Sequence, residues 1–235
     1  MAQKRLLIPE IGEVILTRRR GNRNIRLSIG ANGQVRVGMP YWTSFEAGLL
    51  FAKRKKDWIQ SQLVLHAPKP LRDGSRIGKA HQLIYHRVVP SSDVLDVRAT
   101  ATTVEVRSSL DITDPRVQKQ ASEASELALK MESKQLLLFR LAAISTKHQL
   151  NYRHVRIRKL TSRWGSCSNQ KDITLSYFLI QLPWELIDYV ILHELAHTKF
   201  PNHNPNFWQF MEEGLPNARL LRKQIKAYKP RLEPY

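Results

Sequence analysis

The chain has 235 residues, of which 42% are hydrophobic and 25% are charged, a composition typical of a folded protein with one large domain or two small ones. Its single cysteine, Cys167, excludes an intrachain disulfide and with it the class of secreted disulfide scaffolds, so we expect a reducing cytoplasmic location. The 38 Lys and Arg residues against 20 Asp and Glu give a formal charge of +18, which favours anionic partners without identifying one.

The sequence carries no pattern of export or membrane insertion. The apolar run near the N-terminus, residues 6–8, is too short for the hydrophobic region of a signal peptide. No stretch approaches the roughly 20 apolar residues that a membrane-spanning helix needs. We therefore expect a soluble protein without a membrane partner.

The first part of the chain has the pattern of short β-strands. Alternating apolar residues at 25–29 and 35–37, separated by Asn32-Gly33, predict a β-hairpin with one buried face. These strands and the later ones predict an antiparallel β-rich region over residues 1–110. The later strands are expected at residues 83–85, 94–97 and 104–106.

Two helices are indicated by their N-terminal signals. Thr43 and Glu46 have the spacing of a capping box, and the apolar residues after them predict a helix that runs to about residue 64. Further along, Asp114 is expected as the N-cap of a long helix and Pro115 as its first residue. The change from strand to helix patterns before Asp114 predicts the domain boundary.

The second predicted domain, residues 111–235, continues with strands and helices. Alternating apolar residues predict strands at 155–158 and 173–177. Pro183 begins a helix in which apolar residues recur at intervals of three and four, and Pro205 begins another.

The helix that begins at Pro183 contains the sequence His-Glu-Leu-Ala-His over residues 193–197. His193 and His197 are four residues apart and therefore lie on one helical face, where both imidazoles can reach one metal ion. Glu194 projects about 100° away, where it can accept a proton from a water molecule on the metal. His203 is the candidate third ligand. Three neutral histidines leave one tetrahedral position open to water, which is typical of a catalytic zinc site with one ion per chain.

Four sequence motifs occur in order through the C-terminal part: RWGSCS at 163–168, IDYV at 187–190, HELAH at 193–197 and NHNPNFW at 202–208. Together they resemble the YgjP-like metallopeptidases and, more distantly, the SprT and Spartan-type zincins. The resemblance implies an α+β fold in which a zincin-like catalytic domain follows the antiparallel β-rich region. It also implies that the three histidines hold the metal and that Glu194 is the general base.

The resemblance to zincins further suggests where a substrate binds. In zincins the strand before the active helix often lies at the edge of the cleft, where an extended peptide can pair with it. By that analogy, Ile173, Thr174, Leu175 and Tyr177 are candidate substrate-binding residues, although an interior strand would have the same pattern. Tyr177 is either a stabiliser of the oxyanion or a packed aromatic residue.

Three functions are consistent with these patterns. The first is a zinc metallopeptidase that hydrolyses peptide bonds in a peptide or protein substrate. The second is a DNA-associated protease or DNA-binding protein, and the third is a zinc-binding adaptor without turnover. A nucleic-acid partner would bind the basic clusters, which lie at residues 18–20, 53–56, 153–159 and 219–231. The sequence does not indicate an oligomeric state.

Overall fold

The computed structural model describes residues 2–30, 33–66, 69–89 and 94–234. It divides the chain into two compact units, Met1–Pro68 and Lys69–Tyr235. Both units combine helices with sheets, which confirms the predicted α+β class. No helix among the described residues is long and apolar enough to cross a membrane.

The first unit is a four-stranded sheet with two helices. Its sheet has the order β1-β2-β4-β3, in which β2 and β4 are parallel and the other two pairs are antiparallel. Buried aliphatic side chains of β2 and β4 form its core together with Ala52 and Ile59 of the helices. The elements are β1 (Ala2–Ile8), β2 (Gly12–Arg19), β3 (Arg26–Ile29), β4 (Val35–Pro40), α1 (Phe45–Arg54) and α2 (Lys56–His66).

The hairpin predicted in this unit is confirmed, since β3 and β4 pair with Ile29 opposite Val35. Asn32 of the predicted turn lies outside the described residues. The helix predicted over residues 43–64 differs in two ways. Ser44 is the N-cap, because its hydroxyl accepts a hydrogen bond from the Ala47 backbone N–H at 3.1 Å. The helix is also interrupted at Lys55, which is the C-cap of α1 and directly precedes α2.

In the second unit, the described residues form two three-stranded sheets and four α-helices. The first sheet has the order β5-β7-β6, and the second has the order β8-β10-β9. Its strands are β5 (Gln82–Arg87), β6 (Leu95–Ala99), β7 (Thr103–Ser108), β8 (His154–Arg158), β9 (Gly165–Cys167) and β10 (Asp172–Ser176). Its helices are α3 (Pro115–Lys147), α4 (Trp184–Ala196), α5 (Pro205–Gly214) and α6 (Ala218–Gln224).

Helix α3 begins as predicted, with the Asp114 carboxylate accepting a hydrogen bond from the Arg116 backbone N–H and with Pro115 in the first turn. The predicted boundary at residue 110 differs from the compact units of the structure, which divide between Pro68 and Lys69. The physical reason is packing, because α3 lies against β6 and β7 and therefore joins them to the same core. The prediction that these strands are all antiparallel is also wrong, since β5 and β7 run parallel.

Buried polar contacts attach other elements to α3. Glu132 of α3 is nearly inaccessible, and its carboxylate accepts hydrogen bonds from the backbone N–H groups of Lys79 and Ala80 and contacts His81 Nδ1 at 2.8 Å. On the next turns, Arg140 donates two hydrogen bonds of 2.6 Å to the carboxylate of Asp188 in α4. A bidentate pair fixes orientation as well as distance, so it holds α4 in one position on α3.

Candidate metal centre and active site

Two short segments bring three histidines together in the second unit. His193 lies in the last turn of α4, His197 is its C-cap, and His203 stands in the loop before α5. The Nε2 atom of His193 is 3.2 Å from Nε2 of His197 and 3.0 Å from Nε2 of His203. We call these residues the histidine triad. Among the described residues, it is the one group of His, Cys, Asp and Glu side chains placed to share a metal ion.

The chemistry of the histidine triad fits a zinc ion. Two nitrogen atoms that bind one zinc at about 2.0–2.1 Å lie roughly 3.3 Å apart in a tetrahedron, close to the observed separations. Burial and the other two histidines lower the pKa of His193 to about 3, so this imidazole is neutral, the form that binds metals. The Nδ1 atom of His197 lies 3.0 Å from the Phe200 carbonyl oxygen and can donate to it, which leaves Nε2 as the free lone pair.

Aromatic side chains of α5 brace the histidine triad. The ring of Phe207 is 4.8–5.1 Å from all three imidazoles, and Trp208 is stacked on His203. The first turn of α5 is fixed by Asn204, whose side chain accepts a hydrogen bond from the Phe207 backbone N–H at 2.9 Å. The cap therefore sets the position of the ring against which His203 packs.

Glu194 is a buried carboxylate beside the histidine triad, with only 7% of its surface exposed. Burial raises its pKa to about 7, and the positive charge of Arg163 opposes that rise. The residue facing it is Gly165 of β9. A Cβ atom at this position would lie 2.7 Å from Cγ and 2.9 Å from Oε1 of Glu194, so a glycine is needed for the carboxylate to occupy this place.

The histidine triad and Glu194 line one wall of an open cleft of about 610 Å³. The lining also includes strand β9 and the turn after it. Strand β9 is an edge strand, because β10 is its one partner among the described strands. Its other edge is therefore not paired with any strand that the structure describes.

The substrate-binding strand predicted from the sequence is not at the edge of the sheet. Strand β10 lies between β8 and β9 and is hydrogen-bonded on both sides. Ile173 and Leu175 are fully buried in the core, and Thr174 is half-buried. Tyr177 follows the strand, and its hydroxyl donates a 2.6 Å hydrogen bond to Glu126. The expectation of an edge position for β10 is wrong, and Tyr177 is a packed aromatic residue with a polar partner.

Sequence reasoning missed two residues of the site. Gly165 belongs to the RWGSCS motif, and nothing local in the sequence indicates that it faces Glu194. Tyr189 packs on the His193 ring with centroids 5.8 Å apart, and burial raises the pKa of its hydroxyl to about 12. The spacing of four residues between Tyr189 and His193 could have revealed it, because residues four apart share a helical face.

Cys167 occupies the last position of β9 and is half-buried. Burial and the nearby carboxylates of Glu194 and Asp172 raise the pKa of its thiol to about 11. A thiol with such a pKa is protonated at neutral pH and is a poor nucleophile, and among the described residues the group placed to share a metal ion does not include Cys167. It therefore serves as a small side chain in the strand.

The chain is similar to metallopeptidases. The model of the YgjP-like family, described as a YgjP-like metallopeptidase domain, matches residues 23–228. The crystal structure of the metallopeptidase zymogen abylysin of Pyrococcus abyssi is 27% identical, covers 38% of this chain and 91% of its own, and has a TM-score of 0.36. The crystal structure of the metallopeptidase zymogen jannalysin of Methanocaldococcus jannaschii is 22% identical, covers 38% of this chain and 93% of its own, and has a TM-score of 0.35. No curated protein matches the chain.

Proposed function

This chain belongs to the YgjP-like family of metallopeptidases, and from that premise we propose that it is a zinc-dependent endopeptidase. In this proposal the histidine triad holds one zinc ion and Glu194 is the general base. The substrate is a peptide or protein segment that enters the open cleft in an extended conformation.

The observation that carries the proposal is the convergence of three Nε2 atoms beside a buried carboxylate. Neutral imidazole nitrogens that face one another at 3.0 and 3.2 Å repel unless a proton or a cation lies between them. A carboxylate with a pKa near 7 is suited to accept and then release a proton at neutral pH. The histidine triad and Glu194 line the same cleft.

A zinc ion bound here would polarise the substrate carbonyl and lower the pKa of a water molecule, which is the chemistry it supplies. Glu194 accepts the proton of the attacking water and delivers a proton to the departing amine. Gly165 leaves the space in which that carboxylate is held against the cleft. The free edge of β9 pairs with the substrate backbone and aligns it, a task that the sequence analysis gave to β10.

A zinc-binding adaptor without turnover is a weaker account of the same site. A purely structural zinc site has four protein ligands and no need of a general base beside an open coordination position. The position of Glu194 thus favours the enzyme.

The deciding experiment compares wild type with Glu194→Gln in metal analysis and in hydrolysis of a set of fluorogenic peptides. The amide preserves shape but accepts no proton, so zinc content should stay the same while kcat/KM falls by roughly 10²–10⁴-fold. Glu185→Gln is the matched control, because Glu185 is exposed on the same helix. Equal turnover by Glu194→Gln and wild type would contradict the assigned base.

A second candidate function is binding of nucleic acid by the first unit. Tyr41 and Trp42 follow β4 and are 56% and 63% exposed, with their rings 5.1 Å apart. Arg19 pairs in register with Pro40, so Arg19 and Arg20 lie at the same end of the sheet. Within the described residues, neither arginine has an ion-pair partner. Exposed aromatic rings together with guanidinium groups that have no ion-pair partner are typical of surfaces that bind single-stranded DNA or RNA.

A further inference from the structure

The cleft that holds the histidine triad is bordered by three cationic side chains. Arg163 precedes β9, Lys171 lies in the turn between β9 and β10, and Lys199 follows α4. All three are exposed, and in the described part of the chain none of them forms an ion pair with a carboxylate. Of the described residues that line the cleft, Glu194 is the one with a carboxylate.

The acidic residue next to Lys171 in the sequence does not neutralise these three cationic side chains. Asp172 follows Lys171 directly, but its carboxylate accepts two hydrogen bonds of 2.8 and 2.7 Å from Arg153, on the neighbouring segment before β8. That pair leaves the Lys171 ammonium group without a partner. The side chains that line the cleft therefore carry more positive than negative charge, even before any metal ion is counted.

The backbone around these cations is well fixed. Lys171 has a φ of 64°, and its backbone N–H donates to the Ser168 carbonyl while its own carbonyl accepts from Arg153. The Lys199 backbone N–H donates to the Ala196 carbonyl at 3.0 Å, and its ammonium group lies 5.4 Å from the centre of the Phe200 ring. Both lysines thus start from backbone positions fixed by hydrogen bonds on two different segments of the cleft lining, one beside β9 and one at the end of α4.

These positions matter because of the edge strand. A substrate paired with β9 meets Arg163 near one end of that strand and Lys171 near the other. Three residues of β-strand span about 10 Å, which is also the length of three substrate residues. Side chains of the substrate within about three residues of the scissile bond therefore pass the cations.

We propose that this cleft selects peptide segments that carry Asp or Glu within about three residues of the scissile bond, a proposal that rests on the proposed peptidase function. Carboxylates of the substrate pair with Arg163, Lys171 and Lys199, and a cleft with an excess of positive charge raises the local concentration of negatively charged substrate. Lys or Arg at the same substrate positions is repelled, which adds to the selectivity.

The test uses three fluorogenic peptides that differ only in having Asp, Asn or Lys on both sides of the scissile bond. With the zinc-loaded full-length chain at low salt, kcat/KM should be about tenfold higher for the Asp peptide than for the Asn peptide and lower again for the Lys peptide. The difference should shrink at high salt, where the screening length falls to about 3 Å at 1 M.

Charge variants then assign the effect to the cleft. Lys199→Glu should reduce the preference for the Asp peptide several-fold and improve cleavage of the Lys peptide, and Lys171→Gln should reduce the preference without altering net charge as much. Lys134→Glu is the matched control, since it makes the same change in charge at an exposed position of α3. Zinc content and the unfolding temperature identify any variant that fails to fold.

The outcomes separate this proposal from the proposed function. Hydrolysis of none of the three peptides would count against the peptidase itself. Equal kcat/KM for all three peptides would overturn the charge selectivity and leave the peptidase standing. A preference for the Asp peptide that Lys134→Glu reduces as much as Lys199→Glu would assign it to the overall charge of +18 and overturn the role of the cleft.

Discussion

Substitution of Gly165 by Ala should disable the general base while leaving the metal in place. A Cβ atom at position 165 would lie 2.7 Å from Cγ and 2.9 Å from Oε1 of Glu194. Carbon atoms in ordinary contact are about 3.5–4.0 Å apart, so the overlap with Cγ is roughly 1 Å. Because Glu194 is buried, it has little room in which to retreat.

The expected magnitude follows from that displacement. A catalytic group misplaced by about 1 Å costs roughly 10²-fold in rate. Overpacking of a buried site also lowers the free energy of unfolding by about 1–3 kcal/mol. The three atoms nearest to the new methyl group all belong to Glu194 and none to the histidine triad, so zinc should remain near one ion per chain.

The assay measures kcat/KM on a fluorogenic peptide, zinc content and the unfolding temperature for Gly165→Ala. Gly21→Ala is the control, since a Cβ atom at that exposed glycine meets nothing within 4 Å. Adding Gly165→Ala to Glu194→Gln should cause little further loss, because both changes act on one group. A Gly165→Ala enzyme with wild-type kcat/KM, or one that has lost its zinc, would refute the reasoning.

Three further predictions concern the metal, acid stability and nucleic acid. His203→Ala should lose most of its zinc in metal analysis, and stoichiometric zinc in that variant would contradict the third ligand. The Arg153 guanidinium lowers the pKa of the Asp172 carboxyl, so their pair adds stability above about pH 4 that is lost as the pH falls. The unfolding temperature of Asp172→Asn should therefore approach that of wild type in acid. A difference between the two unfolding temperatures that does not change with pH would contradict this prediction. Trp42→Ala should weaken single-stranded DNA binding roughly tenfold in anisotropy titrations at low salt, whereas Phe139→Ala should not; no binding by wild type would end this proposal.

The histidine triad could be predicted from the sequence because its geometry is local. His193 and His197 are related by the period of one helix, and His203 follows after a short turn. The start of α5 is also encoded locally, since Asn204 caps the helix and Pro205 stands in its first turn. Such features depend on residues that are close to one another in the sequence. A sequence motif contains this local information.

The place of β10 could not be predicted in the same way. Alternation of apolar residues indicates which face of a strand is buried. It does not indicate which strands lie beside it in the sheet, because those strands come from segments distant in the sequence. Strand β9 has only three residues, Gly165–Cys167, too few to produce a periodic signal. An edge strand of that length leaves no pattern in the sequence, whereas the longer alternation of β10 does. The parallel pairing of β5 and β7 has the same origin, because strand direction follows from the path of the chain.

The short strand β9 joins the two requirements of a peptidase at one place. Its residues line the same cleft as Glu194, and its first residue, Gly165, leaves the space that the Glu194 carboxylate occupies. Under the proposed function, a substrate that pairs with the free edge of β9 is therefore aligned by the same segment that leaves room for the proposed base. A side chain at position 165 would displace that carboxylate, so the glycine is needed for its position even though φ at Gly165 is unexceptional. In this proposal, a change in β9 affects the alignment of the substrate and the position of the base together.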